Sequence, residues 1–557
     1  MFGLRVRAKD KFISLILHAF FLVTFVYNKI CKLPSDFEKK PTNLISNQSD
    51  LGSQLISGVF NKYLVKVESS VGTRKLFEDK NRSVKVLNPN SFSWLYLLTG
   101  INNQKSRDLT KYFANELGFV RKKYSRKMWD PETTGLRLCA ICLNLRFFEL
   151  SKTFTDKYVI MSFIHFHVVY LSLCKVFVSK GLASLRINSS IFFASLVLGE
   201  TIIKRPRVLK KLVKDINFFL QKNGEIKSRN PDELLEVLFL VNRFIKFSST
   251  SELSTSGIEK KLKRFQNQIA PILRGLRLGN GNLVRANGCG GEVVPWNLDK
   301  ELSDAKLSDF SVKKNCMGFH RVTAGRLKII FDGKTNNIEN RSKNYCCPAF
   351  SFELTSGQRT IFQNNAAFNC FLGHSSSILA VKEEYNSVRF STKTGSKHLS
   401  LWSSTIKEAK NYRDHENNYL EGTKVIHVDQ VDIIHSRKLT IPLSGNEIRG
   451  SDIIYLEDTN LEEFDIQFFL HPDVDVWKSE GSNYFLLQLK NKEIWNFETD
   501  IGNGSLHSYK YLDPKDLRSK KAFMIVLKRG LKNKKYLVTW KFFLQNHSRK
   551  ITREKIS

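Results

Sequence analysis

Acidic residues are in short supply. The 557-residue chain holds 53 Asp and Glu against 88 Lys and Arg, a formal net charge of +35. The deficit is uneven: residues 1–300 carry 49 basic against 23 acidic side chains, and residues 301–557 carry 39 against 30. So basic a first half points to a polyanionic partner, whether nucleic acid, acidic polysaccharide or anionic membrane surface. AT-rich coding produces the same excess of Lys, Asn, Ile and Phe, so the charge alone does not name the partner. Cysteine is also scarce. Nine of them, an odd number at irregular spacing, exclude a disulfide framework. The one C-x-x-C, Cys139–Cys142 in LRLCAICLNL, has no second pair at zinc-finger spacing and is expected to be two buried helix thiols. Low-complexity tracts, internal repeats, a G-x-x-x-x-G-K-[ST] loop, a Rossmann glycine fingerprint and a G-x-S-x-G elbow are all missing. A nucleotide cofactor and an α/β-hydrolase are therefore not expected. GNGNLVRANGCGG is rich in glycine, but its pattern follows a helix and precedes none, so a phosphate cradle is not expected.

What is present divides by hydrophobic period. The N-terminus reads MFGLRVRAKDK, then a 16-residue apolar run, FISLILHAFFLVTFVY. This has the layout of a secretory leader, but the following NKICKLPSD offers no small-x-small cleavage site. The run is also short of the roughly 20 residues of a membrane span. A buried or interfacial helix is expected, with a signal or anchor, and membrane contact through it, as the alternative. From about 91 to 275 apolar residues recur at three and four, predicting paired helices. Asn230-Pro231-Asp232-Glu233 supplies a cap, a first-position proline and first-turn acids to one of them. After the glycine cluster at 279–296 the period becomes two. Twelve or so strands follow, among them RLKIIFDG, FSFELTSG and KYLVTWKFFL, predicting an antiparallel β-sandwich. The expected fold class is α+β, with an N-terminal helical extension over 1–90, an all-α domain over 91–300 and a β-sandwich over 301–557.

The stretches MGFHRVTAGRLKIIFDG (317–333), AFSFELTSGQRTIF (349–362), GHSSSIL (373–379), HSRKLTIPLSGNEIRGSDII (435–454) and FDIQFFLHPDV (464–474) together resemble the heparinase II/III-like polysaccharide lyases, chiefly across 310–545. FSWLYLL, MWDPETTGLRL and GEIKSRNPDELL resemble the family's helical half more loosely. The resemblance implies an (α/α) toroid before the sandwich, an anionic polysaccharide in the cleft between them, and β-elimination at a uronic acid. That chemistry needs a base for the proton alpha to the carboxylate, a group that neutralises the carboxylate, and an acid for the departing glycosidic oxygen.

The family's His-x-His-x-Asp pattern falls here on Asn344, Cys346 and Pro348, beside Cys347. Its next metal position falls on Gln363 or Asn364, and its last on His374. The implied metal ligands reduce to His374 and Cys346. No cofactor is expected, with a structural zinc as the alternative. In the helical half, Ile226 stands at the family's His, Glu233 or Leu234 at its Tyr-His, and Asn188 is nearest its Asn. The candidate catalytic residues are thus Asn188, Arg229, His320 and His374, with Arg229 and Arg321 as candidate substrate-binding residues. His165 and His167 alternate inside an apolar helix and are expected to be satisfied core groups; His435 and Arg437 share one strand face and are expected to make a structural polar contact. The expected function is a polysaccharide lyase of the cell envelope or periplasm, the cytoplasm being the alternative compartment. The alternative functions are an acidic-glycan binder that has lost catalysis and a nucleic-acid-binding protein, the latter not favoured.

Overall fold

The structure, a computed structural model, describes residues 2–34, 37–38, 89–101, 103–108, 110, 124–126, 128–145, 147, 157–200, 203–249, 256–289, 296–305, 312–334, 349–364, 388–392, 403–428, 431–456, 461–478, 484–502, 504–512 and 519–545. The chain divides into two compact units. Unit 1 comprises Met1–Asn223, Glu236–Asn267 and Val293–Ala305, and unit 2 comprises Gly224–Leu235, Gln268–Glu292 and Lys306–Ser557. The expected division near residue 300 is thus interleaved, because two short pieces of the helical stretch cluster with the strands.

The helices are α1 (Phe2–Ile30), α2 (Trp94–Ile101), α3 (Pro131–Leu143), α4 (Lys157–Cys174), α5 (Leu182–Leu198), α6 (Arg205–Phe219), α7 (Pro231–Ser249), α8 (Ser256–Gly275) and α9 (Leu298–Asp304). Side-chain caps set the starts of α3 and α9. Asp130 accepts from the Thr133 N–H ahead of Pro131, and Asn297 accepts from the Lys300 N–H. In unit 1, α5 is buried along all of Ile187–Leu198 and packs between α3 and α6. Gly135 allows the α3–α5 approach, since a Cβ there would lie 3.3 Å from Ile187. Arg137, fully buried, donates to the carbonyls of Asn90 and Met128 and to His167 Nε2 at 2.9 Å. His167 therefore carries its proton on Nδ1, which faces the Phe163 carbonyl at 2.8 Å. His165 is held by Asn28 at 2.7 Å. Both histidines are satisfied core groups. Cys139 and Cys142 are buried in α3, and burial pushes the Cys139 thiol up to about 12.

Unit 2 holds the strands. A five-stranded antiparallel sheet runs in order through β1 (Asn315–Cys316), β2 (Phe319–Ala324), β3 (Leu327–Asp332), β4 (Phe352–Ser356) and β5 (Arg359–Phe362). The other strands are β6 (Val388–Thr392), β7 (Ser403–Arg413), β8 (Asn417–Val428), β9 (Val431–Pro442), β10 (Glu447–Leu456), β11 (Leu461–Phe469), β12 (Val474–Lys478), β13 (Tyr484–Leu489), β14 (Ile494–Thr499), β15 (Gly504–Leu512), β16 (Ser519–Gly530) and β17 (Lys535–Leu544). Eight form a sheet in the order β12-β13-β14-β17-β10-β9-β8-β7, and four form a sheet in the order β15-β16-β11-β6. Alternation explains the layering: β10 and β17 bury every second residue. Aromatic rings join the three sheets in one core. Phe352 of the first sheet stacks on Trp540 of the second at 6.0 Å, and Phe468 of the third meets Trp540 edge-on at 4.9 Å.

One polar knot lies inside that core. The Asp452 carboxylate, on β10, receives His435 Nε2 at 2.8 Å and Arg437 Nε at 2.7 Å from β9, and Trp540 Nε1 at 3.1 Å from β17. Burial opposes its charge, but the Arg437 guanidinium and the His435 hydrogen bond hold its carboxyl well below the usual range. Burial, with Lys424 nearby, lowers His435 to about 4 despite Asp452, so its imidazole is neutral at pH 7. Arg437 also donates to the Phe350 carbonyl at 2.9 Å, and Lys424 to the Ala349 carbonyl at 2.9 Å. Phe350 adopts φ 68, and Gly422 of β8 leaves room for its ring.

The knot makes unit 2 acid-sensitive. An unfolded histidine takes a proton near 6.5 and the folded one only near 4. Between those values the unfolded chain binds more protons, so stability falls as pH falls. We expect a loss on the order of 3 kcal/mol from this group between pH 7 and pH 4, read by chemical denaturation across that range. A His435→Gln variant should show a shallower acid slope. Gly450 faces Trp540, and a Cβ there would sit 2.0 Å from the ring. Gly450→Ala should cost about 1–3 kcal/mol by overpacking, seen as a lower melting temperature; an unchanged melt would refute the close packing.

Candidate functional site

In unit 2, the segment Gly224–Asn230 lies against the turn between β1 and β2. Glu225 accepts from the Met317 N–H at 2.8 Å. Arg229 reaches further, its three guanidinium nitrogens donating to the Met317 carbonyl, the Lys334 carbonyl and the Asp332 carboxylate at the end of β3. The guanidinium lies 4.7 Å over the Phe319 ring and only 3% of the residue is exposed. Arg229 and Met317 both adopt left-handed backbone, φ 58 and 51. Left-handed non-glycine residues persist when their surroundings over-determine them, as this set of bonds does. Burial raises the Asp332 carboxyl and Arg229 pulls it back. In this arrangement Arg229 ties two loops together and does not face solvent.

His320 stands beside this tie on β2. Its Nδ1 lies 3.2 Å from Asn315 Oδ1, an acceptor, so Nδ1 carries the proton and Nε2 keeps its lone pair. Asn411 of β7 fixes Asn315 from the other side at 3.3 Å. Burial, and the Arg229 charge beside it, hold the imidazole below the ordinary histidine value. A neutral, partly exposed imidazole with an oriented proton is a competent general base. The ring fits because residue 333 is glycine: a Cβ there would lie 2.5 Å from Nε2. Arg321, the next residue, uses one terminal nitrogen to cap the end of α8, donating to the carbonyls of Arg274, Gly275 and Arg277 at 3.0, 3.0 and 2.8 Å.

The glycine cluster covers β4. That strand is buried at every residue, with Phe352 and Leu354 on one face and Glu353 and Thr355 on the other. Thr355 accepts from the Gly279 N–H, and a Cβ on Gly279 would meet the Gly357 carbonyl at 1.9 Å. Glu353 accepts from the backbone N–H groups of Arg285 and Asn364, at 3.2 and 2.9 Å, and burial pushes its carboxyl up to about 7 against the pull of Arg285. Gln363 accepts from the Tyr511 hydroxyl at 2.9 Å, and the Asn364 amide donates to the Arg285 carbonyl at 3.1 Å. Both amides are thus engaged where the resemblance implies a zinc carboxylate, and these two positions do not fit a zinc ligand. Cys346, Cys347, Asn344, Pro348 and His374 lie outside the described residues.

In unit 1, Asn188 on α5 donates to Asp215 of α6 at 2.6 Å and is mostly buried. Arg186, on the same helix, bridges Glu132 of α3 and Glu236 of α7. Near Glu236, Tyr96 meets Trp296 edge-on at 5.3 Å, and Trp296 stacks on Phe239 at 4.0 Å. No local sequence pattern marks Arg186, Glu132 or Glu236. Only Glu353 carried a signal, an acid within an otherwise apolar and hydroxylic strand.

Residues 372–541 match the family model "Heparinase II/III-like, C-terminal". Over this stretch the chain is similar to that family. Among solved structures, heparinase III aligns over 91% of this chain and 87% of its own, with TM-score 0.62 and 10% identity. A mutant of the heparan sulfate lyase HepC from Pedobacter heparinus aligns over 97% and 90%, with TM-score 0.53 and 11% identity. A second heparinase III aligns over 94% and 88%, with TM-score 0.52 and 10% identity. No curated protein sequence matches. At these identities the likeness gives the fold: a helical toroid followed by an antiparallel β-sandwich, the polysaccharide lyase architecture.

The matched residues contain the Asp452 knot, whereas Arg229, His320 and Glu353 precede them. Removing Arg229 would leave Asp332 buried without its cation. Arg229→Ala should therefore destabilise the protein by about 3–5 kcal/mol, and Arg229→Lys should recover only part, because one ammonium cannot reach three acceptors in a fork. Denaturant unfolding followed by tryptophan fluorescence checks both; unchanged midpoints would refute the tie.

Proposed function

We propose that the protein is a polysaccharide lyase that cleaves uronic-acid-containing glycans by β-elimination, with His320 as the base. The observation that supports this most is the heparinase III likeness over nine-tenths of the chain. His320 suits the chemical step, since Nε2 can accept the proton alpha to the uronate carboxylate while Asn315 holds the other ring nitrogen. Basic residues 1–300 concentrate a polyanion whatever the chemistry. Arg321, Asn188 and His374 stay candidates for carboxylate binding and proton delivery, and Arg229 enters only as the tie that sets His320. The cell envelope or periplasm, where such polymers occur, is the compartment we propose.

One observation favours a second reading, acidic-glycan binding without turnover. Ile226 and Leu234 are buried apolar side chains, and Glu233 is bonded to Ser228. These positions cannot supply the His and Tyr-His that the family resemblance implies.

Incubation with heparan sulfate, chondroitin sulfate and alginate, followed by the ultraviolet absorbance of the new carbon–carbon double bond, separates the two. We expect unsaturated product from at least one polymer, and His320→Ala should slow it by about 10²–10⁴-fold. The acid limb of the rate should lie below the ordinary histidine value, because the lowered pKa keeps the base neutral further into acid. Tight binding with no absorbance change would establish the second reading. Preference for DNA over uronate polymer of matched charge would reject both.

A further inference from the structure

Helix α1 has two apolar faces, and among the described residues only one is covered. Leu17, Phe21, Thr24 and Asn28 are buried. Phe21 packs edge-on against Trp129 and Phe166, and Asn28 bonds to Ser162 at 2.9 Å and His165 at 2.7 Å, both on α4. On the opposite side, Phe12, Leu15, Leu22, Val23, Val26 and Ile30 recur at helical spacing and are exposed, Leu15 at 71% and Ile30 at 77%. Phe20 meets Phe177 at 6.0 Å, and Val176 and Phe177, just beyond α4, are exposed as well.

The charges at the ends of this stripe are mostly basic. Arg5, Arg7, Lys9 and Lys11 precede it, with Asp10 the single acid there, and Lys29 and Lys32 stand at its far end. No charged residue lies between Phe12 and Asn28. The stripe is about 28 Å long at 1.5 Å per residue. An uncharged apolar stripe with cationic ends matches a bilayer interface bearing anionic headgroups. The inner face decides the depth. A helix crossing the bilayer alone would have to break Asn28 away from Ser162 and His165 and Phe21 from its aromatic partners. We infer that α1 seats unit 1 on an anionic lipid surface, its outer stripe entering the headgroup–acyl boundary while its inner face stays packed on α4.

The experiment uses the full chain and vesicles of phosphatidylcholine with phosphatidylglycerol, against phosphatidylcholine alone. Flotation should recover the protein with the anionic vesicles and not with the neutral ones, and added salt should weaken recovery. A Leu22→Glu/Val26→Glu variant should partition at least about tenfold less, since burying two aliphatic side chains is worth more than that factor. Both positions are exposed, so its circular dichroism and melting temperature should match the parent protein. Absence of flotation, equal recovery with neutral vesicles, or an unaltered variant would each overturn the inference. So would a purified protein whose N-terminal mass shows α1 removed, or a dimer in lipid-free solution that the same variant dissociates, because a second copy would then cover the stripe.

Discussion

A carboxylate in an apolar interior is stable only if several donors replace its lost water. Asp452 has His435, Arg437 and Trp540 around it, from the two strands that flank its own in one sheet. These donors meet only when β9, β10 and β17 are in register, because a slip of one residue would turn each side chain to the other face. The knot therefore does what apolar packing alone does poorly: it distinguishes the correct pairing of long antiparallel strands from near alternatives. It also reaches out of its own sheet. Through the Phe350 carbonyl, Arg437 fixes the entry into β4, and β4 carries Phe352 to the aromatic core on one face and Glu353 to the glycine-rich loop on the other.

The corner around His320 depends on a second buried ion pair, Arg229–Asp332. Here the pair stabilises backbone that would otherwise be unfavourable, with two left-handed non-glycine residues, Arg229 and Met317, tied to each other. The imidazole gains a defined tautomer, a lowered proton affinity and a glycine-sized space. It is a small set of groups, each with a structural cause, and the positions of Ile226 and Leu234 show how much apolar core surrounds them.

Much of the fold was legible from period alone. KYLVTWKFFL appears as β17 over the same residues, and PDELLEVLFLVNRFIKF lies within α7, because alternating or three-four burial is a direct imprint of a covered face. The strand SSTIKEAKNYR was not legible: β7 is an edge strand, largely exposed, with no buried face to leave an imprint. The polar contacts of His165, His167, His435 and Arg437 could be anticipated from their apolar neighbours. Arg229 read as a cleft residue, since SRNP gives no hint that the partner, Asp332, arrives about a hundred residues later. Long-range pairing of this kind has no local pattern. The same limit hid Arg186 between Glu132 and Glu236.

The interleaving of the two units has a consequence for how the protein comes to be folded. The chain passes from unit 1 to unit 2 at 224, returns at 236, crosses again at 268, returns at 293 and leaves finally at 306. During synthesis the helical segments emerge first, but Gly224–Leu235 has no counterpart until β1–β3 are made. Arg229 must wait, charged and unpaired, for Asp332. Contacts of such sequence separation close slowly, and neither unit is released intact by one cut in the chain. A fragment beginning at 301 would contain every described strand and still lack the cation, the capped α8 terminus and the loop over β4 that complete its interior. Autonomy here belongs to the whole chain, not to the domains that its hydrophobic periods mark out.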